Sequence, residues 1–125
     1  MVVIRVLSKE ILQLRVAIGQ IIANDMAKKQ RSYREDLLER LKDSDYAAGY
    51  LEAVLEEDSS PEAFLIALRD VAEARGMTQL ARDTDLKRES LYTMLSERGN
   101  PVLSSVYAIL DALDMRLSIA RKHAA

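Results

Sequence analysis

The sequence predicts an all-α protein built around a helix-turn-helix and closed by one short C-terminal strand. Three observations carry this. Apolar residues recur at three- and four-residue steps along most of the chain, the period of a helix with one buried face. Helix punctuation falls at the joints: Asp43-Ser44-Asp45, Ser59-Ser60-Pro61, Gly76 and Gly99-Asn100-Pro101. Between Gly76 and Pro101, two short helical patterns flank a turn centred on Asp85-Leu86.

Residues 1–31 open with the β-branched run Val2-Val3-Ile4-Arg5-Val6. Ser8 is an N-cap candidate for a helix carrying Ile11, Leu14, Ile18, Ile21 and Ile22 on one stripe. So apolar a stripe is expected to bury against the body or against a second copy. Met26 offers an alternative start, in which case residues 1–25 are an upstream extension. Residues 32–58 read as a helical pair. A short helix over Tyr33–Lys42 turns Leu37, Leu38 and Leu41 inward, and Asp43 to Asp45 break it and cap the next. That second helix, about Asp45 to Glu57, stripes Tyr46, Ala47, Tyr50, Leu51, Val54 and Leu55 on one face, with Gly49 its weak point.

Residues 59–120 form the third block. Ser60 as N-cap places Pro61 at the first helical position, where its missing N–H costs nothing. The helix turns Phe64, Leu65, Leu68, Val71 and Ala72 inward and closes at Gly76. Next comes a helix over Thr78–Thr84 with Leu80 and Ala81 inward; Leu86 plugs the turn. A helix from about Lys87 to Arg98 follows, with Leu91 and Leu95 inward and Gly99 at its end. Ser104 or Ser105 caps a last helix to Leu113, with Val106, Ile109 and Leu110 on the core side. Met115-Arg116-Leu117-Ser118-Ile119 alternates with the period of a strand. A lone strand leaves its backbone unpaired, so it needs the Val2–Val6 run or its own copy across a two-fold axis; the second is favoured, with a frayed tail the alternative. Residues 121–125 are a tail. From spacing alone, a plain αα-hairpin fits residues 76–101 as well as a DNA-binding motif does.

Composition narrows the classes. The 125 residues, 49% of them hydrophobic, suit one domain with an appendage, and with one Phe and no Trp its core must be aliphatic. No Cys occurs, which excludes disulfides and thiolate metal sites and fits a reducing cytoplasm. No uninterrupted apolar run reaches spanning length, and the N-terminus lacks a secretory layout, so no membrane association is expected. The single His123, the absence of a glycine-rich phosphate loop and the absence of paired His argue against an enzyme, a bound cofactor or a metal site.

The net charge of −2 is unevenly spread. Residues 1–31 carry six basic and two acidic side chains, net +4; residues 32–74 carry four and twelve, net −8; residues 75–125 carry eight and six, net +2. The middle block repels phosphate and attracts a basic partner. A solvated acidic helix face accounts for the same charge pattern equally well.

The stretch Ala74-Arg75-Gly76-Met77-Thr78-Gln79-Leu80-Ala81-Arg82, with Arg88-Glu89-Ser90-Leu91-Tyr92 and Gly99-Asn100-Pro101, resembles the Xre/Cro-like (lambda-repressor-like) helix-turn-helix. More closely it resembles the HigA-like antitoxins, antidotes of addiction modules, over roughly Tyr33 to Ala120. The resemblance implies a protein that binds a small toxin, forms a homodimer on double-stranded operator DNA and represses its own operon. The N-terminal helical pair is the surface that resemblance assigns to toxin. Two positions depart from the pattern: Asp85 stands where the family has Gly in the turn, and Lys87 where it has a capping Ser. Asp tolerates a left-handed backbone better than most residues. Lys cannot accept a backbone N–H, which costs about 1 kcal/mol of helix capping, and DNA binding is expected to be weaker for it.

In that motif the N-terminal end of the second helix meets base edges in the major groove. Arg88 is the candidate base reader, since guanidinium pairs bidentately with guanine; a sequence-blind phosphate contact suits it equally. Lys87 suits a phosphate contact better than base reading. Glu89 can accept from cytosine or pair with a neighbouring cation. Tyr92 and Thr93 lie on the groove face, with packing against the preceding helix the alternative for Tyr92. Thr78 and Gln79 can hold a phosphate at the start of the first motif helix, though Thr78 suits plain N-capping better. Arg82 and Arg98 flank the site as phosphate contacts or solvated cations. Two other readings remain open: a stand-alone repressor, and an interaction module whose DNA binding is degenerate.

Overall fold

The computed structural model describes the backbone of residues 2–122 and the side chains of residues 9–122. The chain forms two compact units, residues 1–36 and 37–125. The described residues contain six α-helices: α1 Val2–Arg40, α2 Ser44–Glu57, α3 Pro61–Arg75, α4 Met77–Thr84, α5 Arg88–Met94 and α6 Leu103–Ala112.

One continuous helix, α1, replaces the β-branched start, the helix capped at Ser8 and the separate Tyr33–Lys42 helix. The reason is local. Between Val2 and Arg40 there is no Pro and only Gly19 to weaken the helix, and residues 23–31 are mostly good helix formers. β-Branched residues disfavour a helix only slightly, so a short run of them does not stop one. The apolar stripe is exposed: Ile11, Leu14, Ile18, Ile21 and Ile22 all keep more than half their surface.

In the second unit, α3 is the central element. Leu65, Ala67, Leu68, Val71 and Ala72 are buried along it, and it packs on α2 and on α4. Leu41 and the α2 residues Ala47 and Leu51 close one side of this core, with Leu37, Tyr50, Val54 and Phe64 at its edge. Met77, Leu80, Leu91, Leu95, Ile109, Leu110 and Leu113 fill the other. Tyr46 and Leu55, placed inward by the sequence pattern, instead stay 42% and 49% exposed at the two ends of the α2 stripe. The buried carboxylate of Asp70 accepts a hydrogen bond from the Tyr50 hydroxyl at 2.9 Å, tying α3 to α2.

The caps follow the sequence at the first joints. Asp43 accepts the N–H groups of Asp45 (2.9 Å) and Tyr46 (3.4 Å). Ser60 accepts that of Ala63 at 3.3 Å, one residue before Pro61 takes the first helical position. Gly76, at φ 103°, ends α3 and donates to the Ala72 carbonyl at 2.9 Å.

Later joints differ. α6 starts at Leu103 with Val102 in the cap position, not at Ser104 or Ser105. No strand occurs among the described residues; Met115–Ile119 is irregular, with Met115 packed on the core and Ile119 99% exposed. Alternation alone does not make a strand, because strand structure is backbone pairing. Of the two partners considered for it, the Val2–Val6 run is helical. His123 and the rest of the tail beyond Lys122 lie outside the described residues.

Candidate nucleic-acid interface

The candidate site is built by α4, the turn after it and α5. Leu80, Leu91 and Leu95 are fully buried and hold the two helices together, with Ala81 and Leu86 half-buried beside them. The turn is set by two side chains. Asp85 adopts the left-handed conformation, φ 58° and ψ 27°. Thr84 donates its hydroxyl to the Leu80 carbonyl at 2.7 Å and accepts the N–H of Leu86 at 3.4 Å. Asp at the left-handed position carries a strain that Gly would not, and a short polar side chain keeps that strain small.

α4 begins one residue before the sequence pattern placed it. Met77 is its first residue and is buried; Thr78 sits inside the helix and makes no capping bond, so N-capping is not its role. Lys87 occupies the N-cap position of α5 with extended backbone (φ −71°, ψ 140°) and no side-chain cap. Its carbonyl accepts the first helical bond, from Leu91 N–H at 3.0 Å. The backbone N–H groups of Arg88, Glu89 and Ser90 therefore precede the first bonded turn and have no helical acceptor.

α5 is also shorter than its apolar spacing predicts, ending at Met94 rather than running to Arg98. Polar side chains compete with the backbone there. Thr93 donates to the Glu89 carbonyl at 3.1 Å, and Ser96 donates to the Thr93 carbonyl at 2.8 Å. Gly99 then folds back onto the Met94 carbonyl so closely that any Cβ would overlap it.

The sequence-derived residues separate into two groups. Arg88 and Tyr92, one turn apart on α5, are in contact, with the guanidinium carbon 5.5 Å from the ring centroid. Arg69 of α3 lies over the same ring at 5.2 Å and is held by Glu73 at 3.1 Å. Tyr92 is thus half-buried against α3 and shared by two guanidinium groups. Lys87 at the N-cap, and Glu89 and Thr93 on the same short helix, are exposed. The remaining positions belong to other segments: Thr78, Gln79 and Arg82 are exposed on α4, Arg98 follows α5, and Gln79 is engaged with Asp83 at 2.9 Å. Arg69 escaped the sequence reading. Its only signal was a basic residue on the largely apolar face of α3, which sequence cannot connect to a tyrosine 23 positions later. Among the described residues, no group of acidic or histidine side chains is arranged to hold a metal ion.

The family model for "probable addiction module antidote protein" matches residues 32–121. The chain belongs to this family. An antidote of this kind is generally not an enzyme, and it implies a cognate toxin as partner. The antidote is also 39% identical over 84 residues to an uncharacterized protein of Haemophilus influenzae, an alignment covering 67% of this chain and 86% of that one. No solved structure matches it. No helix among its described residues is long and apolar enough to cross a membrane.

Proposed function

We propose that this antidote is the antitoxin of a type II toxin–antitoxin module, acting in the cytoplasm. It neutralises a small basic toxin by direct binding and represses its own operon through sequence-specific DNA binding. The observation that carries the DNA half is the uncapped start of α5, where exposed Lys87 and Arg88 stand beside backbone N–H groups without helical acceptors. α5 is then the recognition helix of an Xre/Cro-like helix-turn-helix. Arg88 reads a base edge, steadied by the Tyr92 ring, and Lys87 neutralises a phosphate. A homodimer would set two such helices about one DNA turn apart, roughly 34 Å.

The toxin half rests on family membership and on charge. Asp45, Glu52, Glu56, Glu57, Asp58 and Glu62 are exposed on α2 and around the start of α3. This face would repel DNA and attract a basic protein. The domain division follows the same logic: residues 32–58 serve the toxin and residues 59–120 the DNA.

Recovery of the tagged protein from its native cells at low salt tests the reading. A small basic protein in stoichiometric amount, whose expression alone arrests growth, is the expected result. Recovery without such a partner would leave a stand-alone repressor. Binding to its own promoter fragment should weaken steeply with salt as phosphate contacts release counterions. A promoter affinity equal to that for random DNA would reduce the protein to an interaction module.

A further inference from the structure

The exposed stripe of α1 lies outside the stretch that the family model matches. Ile11, Leu14, Ile18 and Ile21 are 56%, 61%, 53% and 67% exposed, and their spacing of three, four and three puts them on one face. In the sequence, Ile4 and Leu7 continue the same spacing upstream. Aligned aliphatic side chains of this size on a helix are an interaction surface. Most helices gain their stability from burying such a face rather than from propensity.

We propose that residues 11–21 of α1 pair with the same segment of a second copy, as a parallel two-stranded coiled coil. The spacing assigns a heptad register, with Ile11 and Ile18 at the a positions and Leu14 and Ile21 at the d positions. β-Branched side chains at a with Leu at d favour two parallel strands; Ile21, the last d, is the exception. Charge fixes the direction. Glu10 falls at g and Arg15 at the next e. Five residues apart on one helix, they are not neighbours. Across a parallel dimer, g of one strand faces the following e of the other, so each Glu10 meets an Arg15 of the second copy, twice by symmetry. In an antiparallel pair g faces g, and the other g positions of the seam, Ala17 and Asn24, offer Glu10 no cation. The seam also has an end. The next a and d positions are Asp25 and Lys28, and Asp25 pairs within its own helix with Lys29 at 3.9 Å.

The test uses the full chain and light scattering across a concentration series, with five variants. Wild type should be a dimer. Ile18→Asp should raise its dissociation constant by about a hundredfold or more, because two buried isoleucines are lost and two carboxylates face each other. Glu10→Lys and Arg15→Glu should each weaken the dimer, and the double swap should restore it. The chain has no Cys, so Leu14→Cys should form an intermolecular disulfide under mild oxidation, since d side chains meet only their own copies in a parallel pair. A thermal transition retained in Ile18→Asp shows that the core of residues 37–125 is intact. A monomeric or trimeric wild type, a dimer that survives Ile18→Asp, a double swap no better than its parents, or a dimer without the Leu14→Cys disulfide would each overturn the proposal. The inference is separable from the proposed toxin binding: an Ile18→Asp protein that still captured toxin would leave that reading intact.

Discussion

Replacing Lys87 with Ser separates stability from DNA binding at a single position. Lys87 already has the extended backbone of an N-cap, its carbonyl already accepts from Leu91, and its side chain makes no cap. A Ser hydroxyl there can accept the N–H of Glu89 or Ser90, the second and third residues of α5. N-cap side chains of this type contribute about 1 kcal/mol, within a range of roughly 0.5–2. Lys87 is exposed, so its removal opens no cavity. The second unit is of the size at which 1 kcal/mol corresponds to about 4–8 °C in Tm. Lys87→Ser should therefore raise Tm by a few degrees and move the urea midpoint upward with unchanged slope. On promoter DNA the same variant should bind more weakly. The slope of log affinity against log salt should become shallower by about 0.9 per protomer, because each protomer then neutralises one phosphate fewer. A Tm that falls or stays level would refute the capping argument. An unchanged salt slope would mean that Lys87 does not touch the DNA backbone.

Four further outcomes are expected. Gly99→Ala should destabilise by about 1–3 kcal/mol in denaturant unfolding, because its Cβ overlaps the Met94 carbonyl and backbone has to move. Arg88→Ala should cost about 1–3 kcal/mol on the operator and much less on random DNA; equal losses in a competition assay would make Arg88 a phosphate-binding residue. Tyr50→Phe should cost about 1–3 kcal/mol by chemical denaturation, since the buried Asp70 carboxylate loses a donor. The carboxyl of Asp58 is held below its ordinary value of 3.8, first by the backbone N–H of Ser60 and then by the Ser60 hydroxyl. A carboxyl depressed on folding adds stability above its unfolded value that is lost as pH falls through the folded one. An NMR titration should therefore place the Asp58 midpoint below 3.8, and Ser60→Ala should raise it.

Sequence by itself determined the helical class, the inward faces of α3 to α6 and the caps at Asp43, Ser60 and Gly76. These depend on periodicity and on side chains reaching their own backbone a few residues away, both local properties. It also located the turn at Asp85 and the uncapped start at Lys87, because conformational preference and hydrogen-bonding capacity belong to a residue type. Tertiary structure decided the rest. Whether the α1 stripe is covered, whether Met115–Ile119 pairs as a strand and where α5 stops all depend on partners distant in sequence or on competition between a few hydroxyls and the backbone. The sharing of Tyr92 between Arg69 and Arg88 is of the same kind. Two residues on different helices meet over one ring only after Leu68, Leu80 and Leu91 have packed and fixed the distance between α3 and α5.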